Sequence, residues 1–376
     1  MSKLHIFNPE HDLALACNQW QYTPPKAAQQ LRHDLCWIPA IWAETGDFVL
    51  VDDIRDAVSS FSVLEEQLGV KFPAIRFITR QSSEFKELTS FKSVANHMGN
   101  RICLNHVISP WGWDRSVIMQ LFGSRIEEGY FVAGPNEMEK EQFVFREQWV
   151  RVLSSRQYWR TLLQDHVDEV KASAGEWVDG PHRKEVIDSI KGHGGKAVLK
   201  TPWSSSGRGV RFVDLSQSSS FPGISFPCLV EPYHNKVQDF AMEFEVSIDG
   251  SVHYLGLNLF QTKGSAYVGN VLADERDKEH ILSGSVSDVD LKSWCVKIEK
   301  VIKEHISGRY VGLLGVDFIL AKNNIDSGLA ENRIQVCELN LRRTMGHVAL
   351  ALSHYSKGSM AVTFDGHHYH LSIKKI

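Results

Sequence analysis

Asp317, Glu338, Asn340 and Arg342 are the residues in this sequence whose types and spacing most directly suggest chemistry. Glu338 and Asn340 stand two apart in an apolar run, so they share one face of a strand while Leu339 takes the other. Asp317 lies in the preceding apolar run, and a hairpin between the two runs sets it opposite them. Carboxylate and amide oxygens are hard ligands suited to Mg²⁺, which keeps waters and completes its shell from phosphates. Arg342 continues the alternation and offers a planar fork to a phosphate or a carboxylate. Without a cation, burying this set crowds like charges together, at a cost on the order of several kcal/mol.

Two further segments point to a nucleotide. The run 198–200 ends in Lys200 and is followed by a loop containing Ser204, Ser205, Ser206 and Gly207. A lysine there holds a phosphate as a point charge, and small residues let backbone N–H groups close over the others. The loop is neither a GxxxxGK[ST] P-loop nor a GxGxxG dinucleotide fingerprint. The segment 229–233 is an apolar strand ending in Glu231 and Tyr233, a candidate adenine-binding hinge or an ordinary strand end.

The elements that must position these residues follow from periodicity and turn chemistry. Short β-type runs at 3–7, 48–51, 75–79 and 102–108 alternate with helical patterns at 60–68 and 84–97. That alternation predicts a parallel sheet with ligands beyond the strands' carboxyl ends. The polar loops 8–12 and 110–114 fall there. In the first, Glu10, His11 and Asp12 read as surface capping of the next helix, with a cleft-facing role as the rival. A helical stretch at 136–167 leads out of this region. Strands are expected next at 196–200, 210–215 and 228–233, then a hairpin of 241–248 with 252–259 turning at Asp249 and Gly250. A helix at 288–306, strands at 312–321 and 333–340, and a last hairpin within 360–373 turning at Asp365 and Gly366 complete the pattern. The segment 262–270 reads as a polar loop, either a lid or substrate contact or a plain connection.

The order lysine-ended strand, small-residue loop, V-E-P-Y hinge, hairpin, G-V-D-F strand and E-L-N-L-R resembles the ATP-grasp superfamily across residues 150 to 350. The family's E-x-N-x-R motif is matched by Glu338, Asn340 and Arg342, and its metal aspartate by Asp317. By the same resemblance Lys200 takes the α- and β-phosphates, and Glu231 and Tyr233 hold the adenine. Asp239 is the ribose acid, with Glu243 as its alternative. Where the family often has a second phosphate lysine this chain has Arg156. The implied fold class is α/β, α+β in its C-terminal part, with an N-terminal Rossmann-like domain at 1–150. An ATP-grasp unit follows, divided into 151–235 and 236–376. The implied activity is an ATP- and Mg²⁺-dependent ligase, with Mn²⁺ an alternative ion. It activates a small-molecule carboxylate as an acylphosphate for attack by an amine or other nucleophile. Arg342, with Arg343 in reserve, would stabilise the developing charge, and Lys200 would assist. A kinase that stops at phosphorylation and a non-catalytic ATP-binding module are the rivals.

Composition bounds the rest. A chain of 376 residues, 43% hydrophobic and 23% charged, predicts a globular protein of two or three domains. A net charge of −4 gives no basic stripe for nucleic acid. No apolar run reaches the length of a membrane span, and the first residues form no leader, so a cytoplasmic protein is expected. The six cysteines, with no CxxC pair, read as reduced thiols. His368 and His370 invite a metal reading, but no Cys or acid at matching spacing completes a site. Trp111 and Trp113 flank Gly112 in a packed turn.

Overall fold

The computed structural model describes residues 2–89, 108–123, 149–171, 175–180, 183–204, 207–217, 225–247, 249–283, 288–322 and 332–376. It is a mixed α/β architecture built on three sheets. In the first, β1 (Leu4–Ile6), β2 (Phe48–Leu50), β3 (Arg76–Ile78) and β4 (Ile108–Pro110) run parallel in the order β3-β2-β1-β4, with Leu4 beside both Phe48 and Ile108. Strands β1 and β2 are buried along their whole length, as the central strands of a covered parallel sheet must be. Helices α1 (His11–Cys17), α2 (Lys26–Leu35), α3 (Ile54–Leu68), α4 (Ser83–Leu88) and α5 (Arg115–Phe122) surround it. Helix α3 starts earlier than the expected 60, because Asp53 caps it by accepting from the N–H groups of Arg55 and Asp56. It stops at Gly69, whose φ of 68° favours glycine. The expected elements at 90–97, 102–107 and 136–148 lie outside the described residues.

The second sheet is small and antiparallel. Helices α6 (Arg156–His166) and α7 (Asp168–Lys171) precede β5 (Glu176–Val178), α8 (Arg183–Gly192), β6 (Lys196–Lys200), β7 (Val210–Asp214) and β8 (Cys228–Pro232). The strands lie in the order β5-β8-β6-β7. Val186 and Ile190 of α8 pack on Ala197, Leu199 and Val230, giving this sheet its own small core.

The third sheet has seven antiparallel strands: β9 (Asn235–Val246), β10 (Val252–Lys263), β11 (Ala266–Leu272), β12 (Gly312–Lys322), β13 (Asn332–Asn340), β14 (Gly358–Phe364) and β15 (Tyr369–Lys375). Helices α9 (Glu275–Ser283), α10 (Asp288–His305) and α11 (Met345–Ser353) are interleaved in sequence. The order across the sheet is β13-β12-β9-β10-β11-β14-β15. One face carries Phe240, Phe244, Val316 and Phe318 into a core with Trp294 and Ile298 of α10. Trp159 and Leu163 of α6 join that same core, so α6 belongs by packing to the large sheet. A second core joins Leu35 of α2 and Phe61 of α3 to Val348 of α11, Met360 of β14 and Leu371 of β15, welding the N-terminal layer to the far edge of the large sheet.

Two expectations change here. Residues 262–270 are the end of β10, a tight turn at Gly264 (φ 65°) and most of β11, paired from Lys263 with Ala266 to Phe260 with Asn270. Their polarity reflects strands facing a cleft. Glu10, His11 and Asp12 are buried, so they are not surface caps. Trp111 is buried edge-on to Phe7, with ring centroids 5.0 Å apart. His368 and His370 do not pair with each other: His368 meets Asp34 at 3.0 Å and His370 meets Asp365 at 2.8 Å. Among the described residues the cysteines are free thiols, and no helix is long and apolar enough to cross a membrane.

Candidate functional site

A cleft of about 890 Å³ opens where the three sheets meet, and the sequence-flagged residues Arg156, Lys200, Ser204, Gly207, Glu231, Tyr233, Asp239, Asp317, Glu338, Asn340 and Arg342 line it. The large sheet contributes its second face. In register, Glu338 of β13 lies opposite Asp317 of β12, which lies opposite Ala241 of β9, which lies opposite Asn258 of β10. Asn340 pairs with Gly315 one step along. The register shifts between Asp317 and Phe318, so that Phe318 faces Val336 and Cys337 is the extra residue of a bulge. That bulge lets Val336 face the core while Glu338, two residues later, faces the cleft, against the simple period of two.

Asp317 is strongly perturbed. Burial first, and then the Glu338 carboxylate beside it, raise its pKa to about 7. Asn340 answers in part, its Nδ2 donating to Asp317 Oδ2 at 3.0 Å while its Oδ1 accepts from Arg342 at 2.8 Å. Glu338 accepts from Arg156 at 2.7 Å. Two neighbouring carboxyls suit a hard divalent cation, which would relieve the crowding that lifts Asp317; the Asn340 oxygen, here turned to Arg342, would have to swing toward it to join them. The described residues hold no cluster of three or more His, Cys, Asp or Glu side chains suited to a metal, so water and phosphate oxygens would complete the shell.

Arg156 opens α6 and is almost wholly buried. Besides Glu338, it donates to the carbonyl of Thr201 at 2.6 Å and to Ser204 Oγ at 2.8 Å, tying the small-residue loop to the acidic strand pair. Gly207 packs directly against the β10–β11 turn, where a Cβ would collide with the Ser265 carbonyl oxygen. Ser205 and Ser206 lie outside the described residues. Lys200 at the end of β6 meets Glu231 of β8 at 2.5 Å, and Arg160 approaches the same carboxylate at 3.9 Å. Burial pulls the Lys200 ammonium down, but Glu231 outweighs it and leaves the pKa above the ordinary value. The Glu231 side chain is therefore spent on two cations, and only its backbone remains for a hinge contact. Tyr233 is half exposed at the cleft mouth, edge-on to Phe212. Asp239 lies on the cleft face of β9 and accepts from Lys236 at 2.7 Å and Thr262 at 2.8 Å.

The paired arginines separate. Arg342 lines the cleft and holds Asp12 of the N-terminal layer through Nε at 2.9 Å and a second nitrogen at 2.8 Å. Burial opposes its charge, but Asp12 overcomes that and keeps the guanidinium pKa above its ordinary value. Arg343 is not among the residues lining the cleft. Its guanidinium stacks 4.0 Å over Trp42, and burial lowers its pKa to about 9. Neighbouring residues leaving a strand point opposite ways, which is why adjacency in sequence did not carry over.

Sequence reasoning missed several polar groups. Glu243, weighed only as a ribose acid, is buried under the cleft floor. Burial, and then Asp317, raise its pKa to about 8. Thr344 Oγ1 donates to it at 2.9 Å, and His347 Nδ1 lies 3.2 Å away. It fits only because its neighbours are glycines: a Cβ on Gly346 would overlap one carboxylate oxygen, and one on Gly315 the other. Asn258 and Asn270, joined by a 2.8 Å hydrogen bond, also line the cleft. Their signal in the sequence was faint, a single polar residue at a cleft-facing position of an otherwise apolar strand. Asp12, read from sequence as a surface cap with a cleft-facing role as the rival, instead holds Arg342 at the cleft.

No family model matches this sequence, and no curated protein matches it. Solved structures do. The chain is similar to N5-carboxyaminoimidazole synthetase from Staphylococcus aureus complexed with ADP, at 15% identity and a TM-score of 0.48, over 97% of this chain and 83% of that one. It is similar to N5-carboxyaminoimidazole ribonucleotide synthetase from Thermus thermophilus, at 12% identity and a TM-score of 0.46, over 96% and 83%. It is also similar to biotin carboxylase from Campylobacter jejuni, at 13% identity and a TM-score of 0.45, over 94% and 68%.

Proposed function

We propose that this chain is an ATP-grasp-type ligase, which uses Mg-ATP to convert a carboxylate into an acylphosphate for attack by an amine or other nucleophile. We assign 1–150 to an N-terminal Rossmann-like domain, with 151–235 and 236–376 as the two lobes that enclose the nucleotide. The observation that carries the proposal is a single cleft lined by Lys200, Arg156, Asp317, Glu338, Asn340 and Arg342, which come from widely separated segments of the chain. Cations and carboxylates at such density serve a triphosphate and its counterion better than they serve stability.

In this assignment Lys200, released from Glu231, and Arg156 neutralise the phosphates, while backbone N–H groups of the loop around Gly207 close over them. Asp239 takes the ribose hydroxyls. Asp317, Glu338 and Asn340 would hold Mg²⁺, which when bound would neutralise phosphate charge. An acceptor carboxylate oxygen attacks the γ-phosphorus. The bond to the bridging oxygen breaks, its electron pair stays on ADP, and the nucleophile later expels phosphate from the acyl carbon. Arg342 stabilises charge on the transferring group. Positioning and charge neutralisation suffice for such a transfer, so no covalent nucleophile of the protein is required.

The test is ADP release from Mg-ATP across a panel of carboxylates, with hydroxylamine as trap. Acceptor-dependent hydroxamate is the expected outcome. A stable phosphorylated product would mean that the enzyme stops at phosphoryl transfer, and absence of nucleotide binding would remove the proposal altogether.

A further inference from the structure

The cleft continues beyond the nucleotide half, and its lining changes character strand by strand across the large sheet. Carboxylates stand on β13, β12 and β9 (Glu338, Asp317, Asp239) and amides on β10 and β11 (Asn258, Asn270), whereas Val362 of β14 and Tyr369 of β15 are apolar or amphipathic. The part of the N-terminal layer that packs in one core with these two strands, and also lines the cleft, is apolar as well. It consists of Phe7 beyond β1, Trp111 beyond β4, and Leu31 and Leu35 on one face of α2. These walls are fixed to one another. Asp34 of α2 accepts the backbone N–H of Tyr369 at 2.7 Å and meets the His368 ring at 3.0 Å, and Phe7 and Trp111 stack edge to face. An apolar, preformed wall of this kind favours apolar groups roughly in proportion to the area they bury.

From this gradient we infer the acceptor's chemical class: a carboxylic acid with a hydrogen-bonding substituent near its carboxyl and an apolar body. This rests on the carboxylate-activating function proposed above. The carboxyl lies beside Arg342 and the transferring phosphate. The polar substituent faces Asn258 and Asn270, and the body runs along β14, β15 and the wall formed by α2 and Trp111. An α-amino acid with an aliphatic side chain is the simplest molecule with that sequence of groups. A dicarboxylate would bury its second charge against Leu31, Leu35 and Tyr369 without a partner.

The test is calorimetric titration of the full chain, saturated with Mg²⁺ and a non-hydrolysable ATP analogue, with glycine, alanine, norvaline, norleucine and glutamate. Affinity is expected to rise roughly fourfold for each added methylene, and norleucine to bind at least about tenfold tighter than glutamate, which is of similar length. Leu31→Asp is expected to abolish the gain from chain length, with the affinity for the ATP analogue as the control that the variant is folded. If that variant does not fold, the wild-type series decides alone. Affinity independent of chain length, or glutamate equal to norleucine, overturns the inference and leaves the ligase assignment standing. Failure to bind the ATP analogue sinks both.

Discussion

The charges in the cleft are already paired with one another, so single substitutions have two effects that must be separated. Lys200→Ala removes a phosphate contact and also leaves Glu231 with only the more distant Arg160. A stability loss of about 1–3 kcal/mol accompanies it. Adding Glu231→Gln should restore much of that stability in urea denaturation without restoring nucleotide affinity. If affinity returns with stability, Lys200 is only a structural partner. Glu338→Gln keeps the size of the side chain and an acceptor for Arg156, so the fold should persist while turnover falls at least about a hundredfold. Unchanged acceptor-dependent ADP release in that variant would remove the cation assignment. Glu243 makes a pH prediction. Its pKa is raised on folding, from 4.5 to about 8, so the stability it contributes is complete below pH 4.5 and is lost as pH climbs to about 8. Relative to Glu243→Gln, the wild type should lose on the order of a few kcal/mol between about pH 5 and pH 8 in urea melts. A pH-independent difference between the two proteins would show that Glu243 titrates normally.

Strands β9, β12 and β13 do more than present side chains. Their inner face is a continuous apolar layer from Phe240 to Val336, and on the other face the Glu243 carboxylate fits because small neighbours leave it room. Gly315 is such a neighbour, pressed between the Glu243 carboxylate and the Thr344 methyl. Gly315→Ala drives a Cβ into the Glu243 carboxylate and should cost about 1–3 kcal/mol. It should also weaken Mg-ATP affinity, because Asn340 is its register partner and must shift with it. Calorimetry on the variant would show unaltered nucleotide affinity if the strand pair tolerated the methyl group.

At the scale of the molecule, Asp12 and Arg342 join the N-terminal layer to the end of the large sheet across 330 residues of sequence. Both are largely withdrawn from water, and removing one partner of such a pair costs about 3–5 kcal/mol. Asp12→Ala should therefore lower stability by that order and also free Arg342 to move, reducing turnover. The double variant Asp12→Ala with Arg342→Ala should be less destabilised than the sum of the single ones. Strict additivity in that cycle would deny the coupling. The shared core of Leu35, Phe61, Val348, Met360 and Leu371 makes the same connection with apolar contacts. Loosening it would open the end of the cleft where α2 faces β15.

The sequence alone determined most of the longer strands, though not 176–178 or 266–272, the turns at Asp249-Gly250 and Asp365-Gly366, and the common face of Asp317, Glu338 and Asn340. Period-two alternation and glycine turn chemistry are local, and a window of about ten residues contains them. It also made Lys200 and the glycine loop visible, because a lysine ending an apolar strand is conspicuous. Tertiary structure decided what depends on distant segments. The burial of Asp12 against Arg342, the use of Glu231 by Lys200 and Arg160, the divergence of Arg343 toward Trp42 and the strand nature of 262–270 all depend on partners far away in the chain. The bulge at Cys337 belongs with them, since an extra residue is defined only against the strand it pairs with. Electrostatic and packing energies act through space, so a residue's neighbours across the cleft fix its charge state and its freedom, and those neighbours are unknown until the chain has closed on itself.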